Sequence, residues 1–203
     1  MNKYYKKDNI EVGIDEVARG CLFGRVYTAC VIWPSEDDDD EDITEHLIKD
    51  SKKLTKKKRE ELYDYIIDKA IDYRITYGEH ELIDDINIRN AVYTIMHNNL
   101  DNMYVEPDLI LVDGDYFPQY KKIKHKCIIN GDNKYISIAA ASILAKVEHD
   151  RYIEEICEQY PYLHEYYDLL NNMGYGTKKH MEGIKKYGIS DFHRRSFGIC
   201  KNY

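Results

Sequence analysis

Alternating hydrophobic and polar positions indicate several strands along the chain. Near the N-terminus Ile10, Val12 and Ile14 occupy every second position, which predicts a strand running up to Asp15. Runs rich in β-branched and other apolar residues predict three further strands, over residues 26–33, 73–77 and 109–112. The strands are therefore concentrated in the first half of the chain.

Hydrophobic residues three and four positions apart predict helices between and after these strands. The longest cover residues 56–71, 86–100 and 136–156, the first with Thr55 as its N-cap, and shorter helical segments follow Pro161 and Lys178. This order predicts an α/β fold with a mixed central β-sheet flanked by helices and a helical C-terminal part. No Pro/Gly/Ser linker divides the chain, so we expect residues 1–203 to form a single domain.

Composition argues against a membrane or secreted protein. The 203 residues are 43% hydrophobic, and no apolar run is long enough for a transmembrane helix. The basic N-terminus is not followed by the apolar stretch of a secretory signal. The five cysteines are scattered without a CxxC pair, which is typical of a reduced, cytoplasmic protein: Cys21, Cys30, Cys127, Cys157 and Cys200.

The formal net charge of −8 is unevenly distributed. Residues 36–45 contain eight acidic side chains and no basic one, so the rest of the chain is formally neutral. We interpret this run as an acidic surface loop. Residues 52–59 and 178–201 are basic, a pattern that suits either phosphate binding or an ordinary solvated helix face.

Four carboxylates lie at positions where a sheet could bring them together. Asp15 and Glu16 end the first strand, Asp113 ends the strand before Gly114, and Asp132 precedes the long helix. Converging carboxylates need a compensating cation, and oxygen ligands favour Mg²⁺ or Mn²⁺; two such ions could support phosphodiester cleavage. Taken singly, Asp-Gly is equally typical of a turn, and an acid before a helix of an N-cap.

Longer motifs carry a resemblance to a known family. The segments GIDEVARGCLFGRV, DSKKLTKKKREELY, IDDINIRNA, LILVDG, NGDNKYISIAAASILAKVEHDR, GYGTKKHMEGIKKYG and HRRSF occur in this order between Gly13 and Phe197. Over essentially the whole chain this resembles ribonuclease HII, the type 2 ribonuclease H family. The resemblance implies an RNase H-like fold and hydrolysis dependent on two Mg²⁺ or Mn²⁺ ions. It also implies cleavage of RNA in RNA/DNA hybrids and 5′ of single ribonucleotides in duplex DNA, leaving 3′-hydroxyl and 5′-phosphate ends.

The resemblance also assigns site residues. The family's catalytic and metal-binding acids fall on Asp15, Glu16, Asp113 and Asp132. Its glycine-arginine-glycine segment, which senses the ribose 2′-hydroxyl through backbone groups, falls on Ala18, Arg19 and Gly20. Ala18 replaces the usual glycine and Cys21 the usual proline, which puts the fineness of 2′-hydroxyl recognition in question. The family tyrosine that packs on the sugar beside the cut falls on Tyr175.

Further polar residues are candidates for substrate contacts. Asn87, in the stretch that resembles the family's NI block, is a candidate contact to the DNA strand, or an ordinary helix-surface residue. The other candidates are phosphate contacts and backbone clamps, for which a solvated side chain is the alternative: Lys52, Lys53, Lys146, His180, Arg194, Arg195 and Ser196.

Two other functions compete with this interpretation. One is another RNase H-like nuclease, such as a junction resolvase or integrase core, against which the DSKKL, AAAS and GYGT motifs argue. The other is an inactive hybrid-binding module, which the presence of all four acids disfavours. We expect the partners to be RNA/DNA hybrid and ribonucleotide-containing duplex DNA, with no membrane. The chain ends six residues after Phe197, so we expect a monomer without a partner-binding tail.

Overall fold

A mixed five-stranded sheet forms the centre of the computed structural model, which describes residues 1–35 and 44–203. The strands lie in the order β3-β2-β1-β4-β5. Neighbours are antiparallel from β3 to β1 and parallel from β1 to β5. The strand bounds are β1 Glu11–Val17, β2 Val26–Ile32, β3 Asp72–Gly78, β4 Leu109–Asp113 and β5 Lys124–Ile128. The acidic loop expected at 36–45 lies, but for its last two residues, outside the described residues.

Helices follow the strands and dominate the C-terminal part of the described residues. They are α1 Lys56–Lys69, α2 His80–Asp101, α3 Ile136–Gln159, α4 Tyr162–Tyr167, α5 Leu169–Asn172 and α6 Lys178–Tyr187. Short 3-10 turns also occur, notably Ser51–Lys53 and Gly131–Asn133. Among residues 1–35 and 44–203, no helix is long and apolar enough to cross a membrane.

The two faces of the sheet support separate hydrophobic clusters. Val12 and Ile14 of β1 pack with α2, whereas Val17 belongs to the cluster that contains α3 and α1. The strand alternation seen in the sequence therefore divides the core between two layers of helices. All seven residues of β2 are buried, as expected for a strand covered on both faces.

Helix α3 approaches β1 very closely. A Cβ added at Gly13 would lie 2.4 Å from the backbone nitrogen of Ile138, so only glycine permits this packing. The small residues Ala139, Ala140 and Ala141 of α3 are fully buried and keep the helix close to the sheet. This approach places the first turns of α3 beside the C-terminal end of β1.

Two features of the fold differ from the sequence prediction. Strand β5 was not predicted, because Lys124, His125 and Lys126 mask its alternation on the edge of the sheet. Helix α2 begins six residues earlier than predicted. Asn87 interrupts its helical geometry with φ 66° and ψ 159°, and the periodic pattern detected only the part after this kink.

Candidate active site

The four predicted acids come together beside the C-terminal ends of the neighbouring strands β1 and β4. Strands β1 and β4 are parallel neighbours, with Ile14 paired to Val112, so the next residues along, Asp15 and Asp113, lie side by side. The backbone N–H of Gly131 donates to Asp113 Oδ1 at 2.7 Å, which joins the turn that contains the fourth acid to β4. We call Asp15, Glu16, Asp113 and Asp132 the acidic cluster.

Asp15 is the most strongly perturbed member of the acidic cluster. Burial raises the pKa of Asp15 well above its usual range, and the charges of Glu16 and Asp113 raise it further. A hydrogen bond from the Ser142 hydroxyl and one from the Glu16 backbone N–H, at 2.7 Å, act in the opposite direction. The hydrogen-bond donors around Asp15 therefore do not fully offset the effect of burial and of the neighbouring carboxylates.

Cations close to the cluster reduce this excess only in part. Burial raises the pKa of Glu16, while Arg19, whose Nη1 lies 3.2 Å from Glu16 Oε1, lowers it. Burial also raises the pKa of Asp132, and the charges of Asp50 and Asp113 raise it further. Lys52 lowers the pKa of both Glu16 and Asp132, so its ammonium group lies within electrostatic reach of two members of the cluster.

The donor set fits a hard divalent cation. The acidic cluster offers only carboxylate oxygens, which are the ligands that Mg²⁺ and Mn²⁺ prefer, and a bound cation would offset the repulsion that raises the pKa of Asp15. The hydroxyl of Ser142, itself hydrogen-bonded to Ser51 Oγ at 2.9 Å, fixes Asp15 from the α3 side. Sequence reasoning missed Ser142; its place in the AAAS motif was the available signal.

A second group of ligand-type side chains is less suited to a cation. Glu79, His80 and Glu81 bring three ligand atoms within 4.8 Å of one another. However, Arg25 already binds the Glu79 carboxylate through contacts of 2.7 to 3.1 Å. These residues also lie at the start of α2, where the helix dipole disfavours positive charge. The acidic cluster is therefore the better candidate for a metal site.

The connection after β1 has the conformation that the sequence left open. Ala18 adopts φ 66° and is buried, so the position does require the left-handed region that glycine prefers. Arg19 and Gly20 are exposed, and no atom lies within 4 Å of a Cβ added at Gly20. The backbone of Gly20 is therefore open to close approach by a ligand.

Tyr175 lies against this connection. Cys21 and Tyr175 form an antiparallel β-bridge, and the Leu22 N–H donates to the Gly174 carbonyl at 2.9 Å. The Tyr175 hydroxyl lies near the Cys21 thiol and the Ala18 backbone, and burial raises its pKa. The side chain is still 36% exposed. Part of the ring therefore faces solvent beside this connection.

Arg194 is placed differently from the sequence expectation. Its side chain is fully buried, and its guanidinium donates to the carbonyls of Ala18, Gly24 and Arg25, each at 2.8 Å, and to that of Arg19 at 3.2 Å. Every one of these acceptors belongs to the β1–β2 connection. The expectation of a phosphate clamp is therefore wrong for Arg194, which instead holds this connection in place.

Three neighbouring expectations also need correction. His180 is fully buried and bonded to protein groups, so it has no surface to offer a phosphate. Lys146 is 14% exposed and its ammonium is paired with Asp150 at 2.7 Å. The backbone N–H of Ser196 is committed to Asp84 at 2.8 Å. All three corrections follow from burial or from bonding to other protein groups. The basic composition of these segments reveals neither.

The remaining candidates lie on the surface. Arg195 is exposed, although its backbone N–H donates to Asp84 at 2.7 Å. Lys52 and Lys53 are exposed in the turn beside the acidic cluster, and the Lys53 ammonium contacts the Asn133 side chain. Asn87 is exposed at the kink of α2, where its Oδ1 accepts the Asn90 N–H at 3.1 Å. These side chains are accessible to a ligand.

Comparison with known proteins identifies the fold and family. The crystal structure of the ribonuclease H2 from Pyrococcus horikoshii OT3 matches with a TM-score of 0.76 at 24% identity, over 95% of each chain. The Bst-RNase HIII structure in complex with Mn²⁺ gives a TM-score of 0.68 at 17% identity, over 94% of this chain and 68% of that one. These matches confirm the predicted α/β RNase H-like fold.

Sequence similarity is more specific than the fold. A ribonuclease HII of Bacteroides thetaiotaomicron is 43% identical over 196 residues, which cover 97% of this chain and 93% of that protein. The family model described as Ribonuclease HII matches residues 12–200. This range includes the acidic cluster, the β1–β2 connection and Tyr175. The chain therefore belongs to the ribonuclease HII family of metal-dependent ribonucleases H, which act on RNA/DNA hybrids.

Proposed function

We propose that this chain cuts the RNA strand of RNA/DNA hybrids and also incises 5′ of single ribonucleotides embedded in duplex DNA. The products carry 3′-hydroxyl and 5′-phosphate ends. The observation that carries the proposal is the acidic cluster, in which burial and neighbouring carboxylates raise the pKa of Asp15. One sheet with helices on both faces supports a single catalytic domain over residues 1–203.

The acidic cluster is proposed to hold two Mg²⁺ or Mn²⁺ ions. When bound, such a pair activates a water molecule and stabilises the leaving oxygen. Asp15 faces both Glu16 and Asp113 and is the candidate shared ligand, with its orientation fixed by the Ser142 hydroxyl. The Gly131 N–H fixes Asp113. Lys52 adds positive charge within electrostatic reach of Glu16 and Asp132 and is proposed as a contact to the scissile phosphate.

Recognition of the ribonucleotide is proposed to involve the β1–β2 connection and Tyr175. The exposed backbone at Arg19 and Gly20 can approach a 2′-hydroxyl without obstruction from a side chain at Gly20. The exposed part of the Tyr175 ring can pack on a deoxyribose, where a 2′-hydroxyl would crowd it. Lys53, Asn87 and the side chain of Arg195, all exposed, are proposed as outer contacts to the two strands.

A cleavage assay with two asparagine variants tests the acidic cluster. Asp113→Asn should lower kcat by at least about a hundredfold with either metal, because a ligand of the cluster is lost. Asp115→Asn is the matched control, since Asp115 is an exposed acid two residues further along the same segment and should leave kcat unchanged. The substrates are a long RNA/DNA hybrid and a DNA duplex with one ribonucleotide, each with Mg²⁺ and with Mn²⁺.

The product map separates this function from its alternatives. Cleavage 5′ of the single ribonucleotide, leaving a 3′-hydroxyl, is the expected result. A protein that binds both duplexes but cuts neither with either metal would be an inactive binding module. Cutting of a four-way DNA junction in preference to both duplexes would identify a resolvase. Either of these results refutes the proposal.

A further inference from the structure

Two fully buried histidines lie next to Tyr175 and are not explained by phosphate binding. His180 belongs to α6, and His193 lies in the segment that follows it. Their Nε2 atoms are 3.0 Å apart, which is a hydrogen bond between two imidazoles. A hydrogen bond of this kind requires one ring to donate and the other to accept.

The partners of the two outer nitrogens determine which ring donates. His180 Nδ1 lies 2.9 Å from the Tyr175 carbonyl, which can only accept, so Nδ1 carries the proton. The bare Nε2 of His180 must then accept from the Nε2–H of His193. This leaves His193 Nδ1 bare, where it accepts the Ser190 N–H at 2.9 Å and lies 2.8 Å from Ser190 Oγ. The chain of donors is consistent from end to end with two neutral rings.

The surroundings favour neutral rings. The ring of Tyr167 meets His193 edge-on with centroids 4.7 Å apart, and Phe23 does so at 5.3 Å. Burial lowers the pKa of both histidines, and that of His193 falls to about 3 with a further contribution from His180. A second proton on His180 would place two N–H groups against each other at the shared bond, and a second proton on His193 would place its Nδ1–H against the Ser190 N–H.

The same segment joins the connection that follows β1. His193 forms an antiparallel bridge with Phe23, the Arg194 N–H donates to the Leu22 carbonyl at 2.9 Å, and the Gly24 N–H donates to the Phe192 carbonyl at 2.9 Å. The histidine pair therefore links the Tyr175 backbone to residues 192–194. These residues are in turn hydrogen-bonded to the β1–β2 connection beside the acidic cluster.

We propose that His180 and His193 are positioning residues that set the location of the Tyr175 ring, and thereby the preference for deoxyribose at the sugar beside the cut. The inference rests on the function proposed above. The Tyr175 backbone is held by its bridge to Cys21 and by the hydrogen bond from His180 to its carbonyl, so two backbone anchors place the ring. Loss of the His180 donor releases one of these anchors, and the ring then discriminates less well against a 2′-hydroxyl.

Matched pairs of variants separate the effect of losing the N–H donor from the effect of replacing the imidazole ring. His180→Asn keeps an N–H near the position of Nδ1, and His193→Gln keeps one near the position of Nε2. His180→Leu and His193→Leu remove them. The readout is the ratio of kcat/KM on a duplex with one ribonucleotide to kcat/KM on the same duplex with a second ribonucleotide on the 3′ side. Tyr175→Ala provides the ratio expected when discrimination by the ring is lost.

Both leucine variants should lower this ratio about tenfold, towards that of Tyr175→Ala, since one buried hydrogen bond is lost. The amide variants should keep the ratio within about twofold of the native value. Cleavage of a long hybrid serves as the check that the acidic cluster is intact. The inference is overturned if the leucine variants cleave the long hybrid and keep the native kcat/KM ratio. It is also overturned if the amide variants lower the ratio as much as the leucine variants do.

A spectroscopic test of the native protein does not depend on folding of any variant. Nitrogen-15 NMR of the imidazoles should show His180 with its proton on Nδ1, His193 with its proton on Nε2, and both neutral at pH 6. The opposite tautomers, or a protonated ring at pH 6, overturn the inference whatever the activity. If the native protein fails to incise the single-ribonucleotide duplex, the proposed function fails, while the NMR result still reports on the histidine pair.

Discussion

Ala18 shows how one side chain can strain the loop that is proposed to recognise the ribonucleotide. Its φ of 66° lies in the left-handed region, where a Cβ costs about 1 kcal/mol or more. The conformation is imposed from outside, because the Ala18 carbonyl receives both the Arg194 guanidinium at 2.8 Å and the Cys21 N–H at 3.2 Å. The residue cannot relax without breaking bonds that place Arg19 and Gly20.

Ala18→Gly should relieve this strain. We expect the free energy of unfolding to rise by about 0.5–1 kcal/mol, since the gain in the folded state exceeds the added entropy of the unfolded chain. We also expect the ratio of single-ribonucleotide incision to long-hybrid cleavage to rise, because the backbone of the connection can adopt its geometry without distortion. Urea unfolding and paired cleavage assays measure the two effects.

Ala70→Gly is the control for this substitution. Ala70 has φ −63° at the end of α1, so glycine there adds flexibility to the unfolded chain without relieving strain. It should lower the free energy of unfolding and leave the cleavage ratio unchanged. An unchanged ratio in Ala18→Gly would mean that strain at Ala18 does not affect 2′-hydroxyl recognition.

The kink in α2 is an irregularity inside a long helix. Asn87 adopts φ 66° and ψ 159°, a conformation found almost only in glycine, yet its side chain caps the following helical segment by accepting the Asn90 N–H at 3.1 Å. The cap offsets part of the backbone cost. Asparagine is therefore a compromise between the two requirements at this position.

Substitutions at Asn87 separate these two contributions. Asn87→Ala should lower the free energy of unfolding by about 1–2 kcal/mol, because the cap is lost and the strain stays. Asn87→Gly should be close to neutral, since relief of strain offsets loss of the cap. Asn98→Ala, at an exposed position with helical geometry in the same helix, should change stability by less than about 0.5 kcal/mol. Equal losses in the alanine and glycine variants would contradict this account.

The elements also show what a single sequence can and cannot reveal. The strand carrying Ile14 and the helix that opens with AAAS were predicted, because burial on defined faces imposes a regular period on their residues. The edge strand β5 lacks that period, and the kink in α2 breaks it. The strand ends predicted that the acids converge. The burial of Arg194, in contrast, depends on the Gly24 carbonyl, 170 residues earlier in the sequence.

The C-terminal segment and the β1–β2 connection form one unit beside the acidic cluster. Arg194 holds four carbonyls of this connection, and His193 bridges to Phe23 within it. The proposed metal site, the acidic cluster, lies on β1, β4 and the turn at Asp132. Stability of the whole fold should therefore respond to the charge of the acidic cluster, while the proposed recognition surface should depend on the C-terminal segment.

Asp15→Asn tests this link between charge and stability. The pKa of Asp15 is raised in the folded state, so the ionised carboxylate opposes folding at neutral pH, and protonation on lowering the pH relieves that cost. In EDTA at pH 7, Asp15→Asn should therefore unfold at higher urea concentration than the native protein. Mg²⁺ at about ten times its Kd should raise the free energy of unfolding of the native protein by about 1.4 kcal/mol. The variant should lose most of this response.

The exposed acid Asp115 again supplies the control, since Asp115→Asn removes the same charge outside the cluster and should change neither the stability in EDTA nor the response to Mg²⁺. An Asp15→Asn variant that is less stable in EDTA and still responds fully to Mg²⁺ would mean that the cluster is held by its hydrogen bonds and that the ion binds elsewhere. The expected pattern instead requires that repulsion among the acids is the cost that metal binding removes. The same carboxylates would then weaken the metal-free fold and create its affinity for the ion.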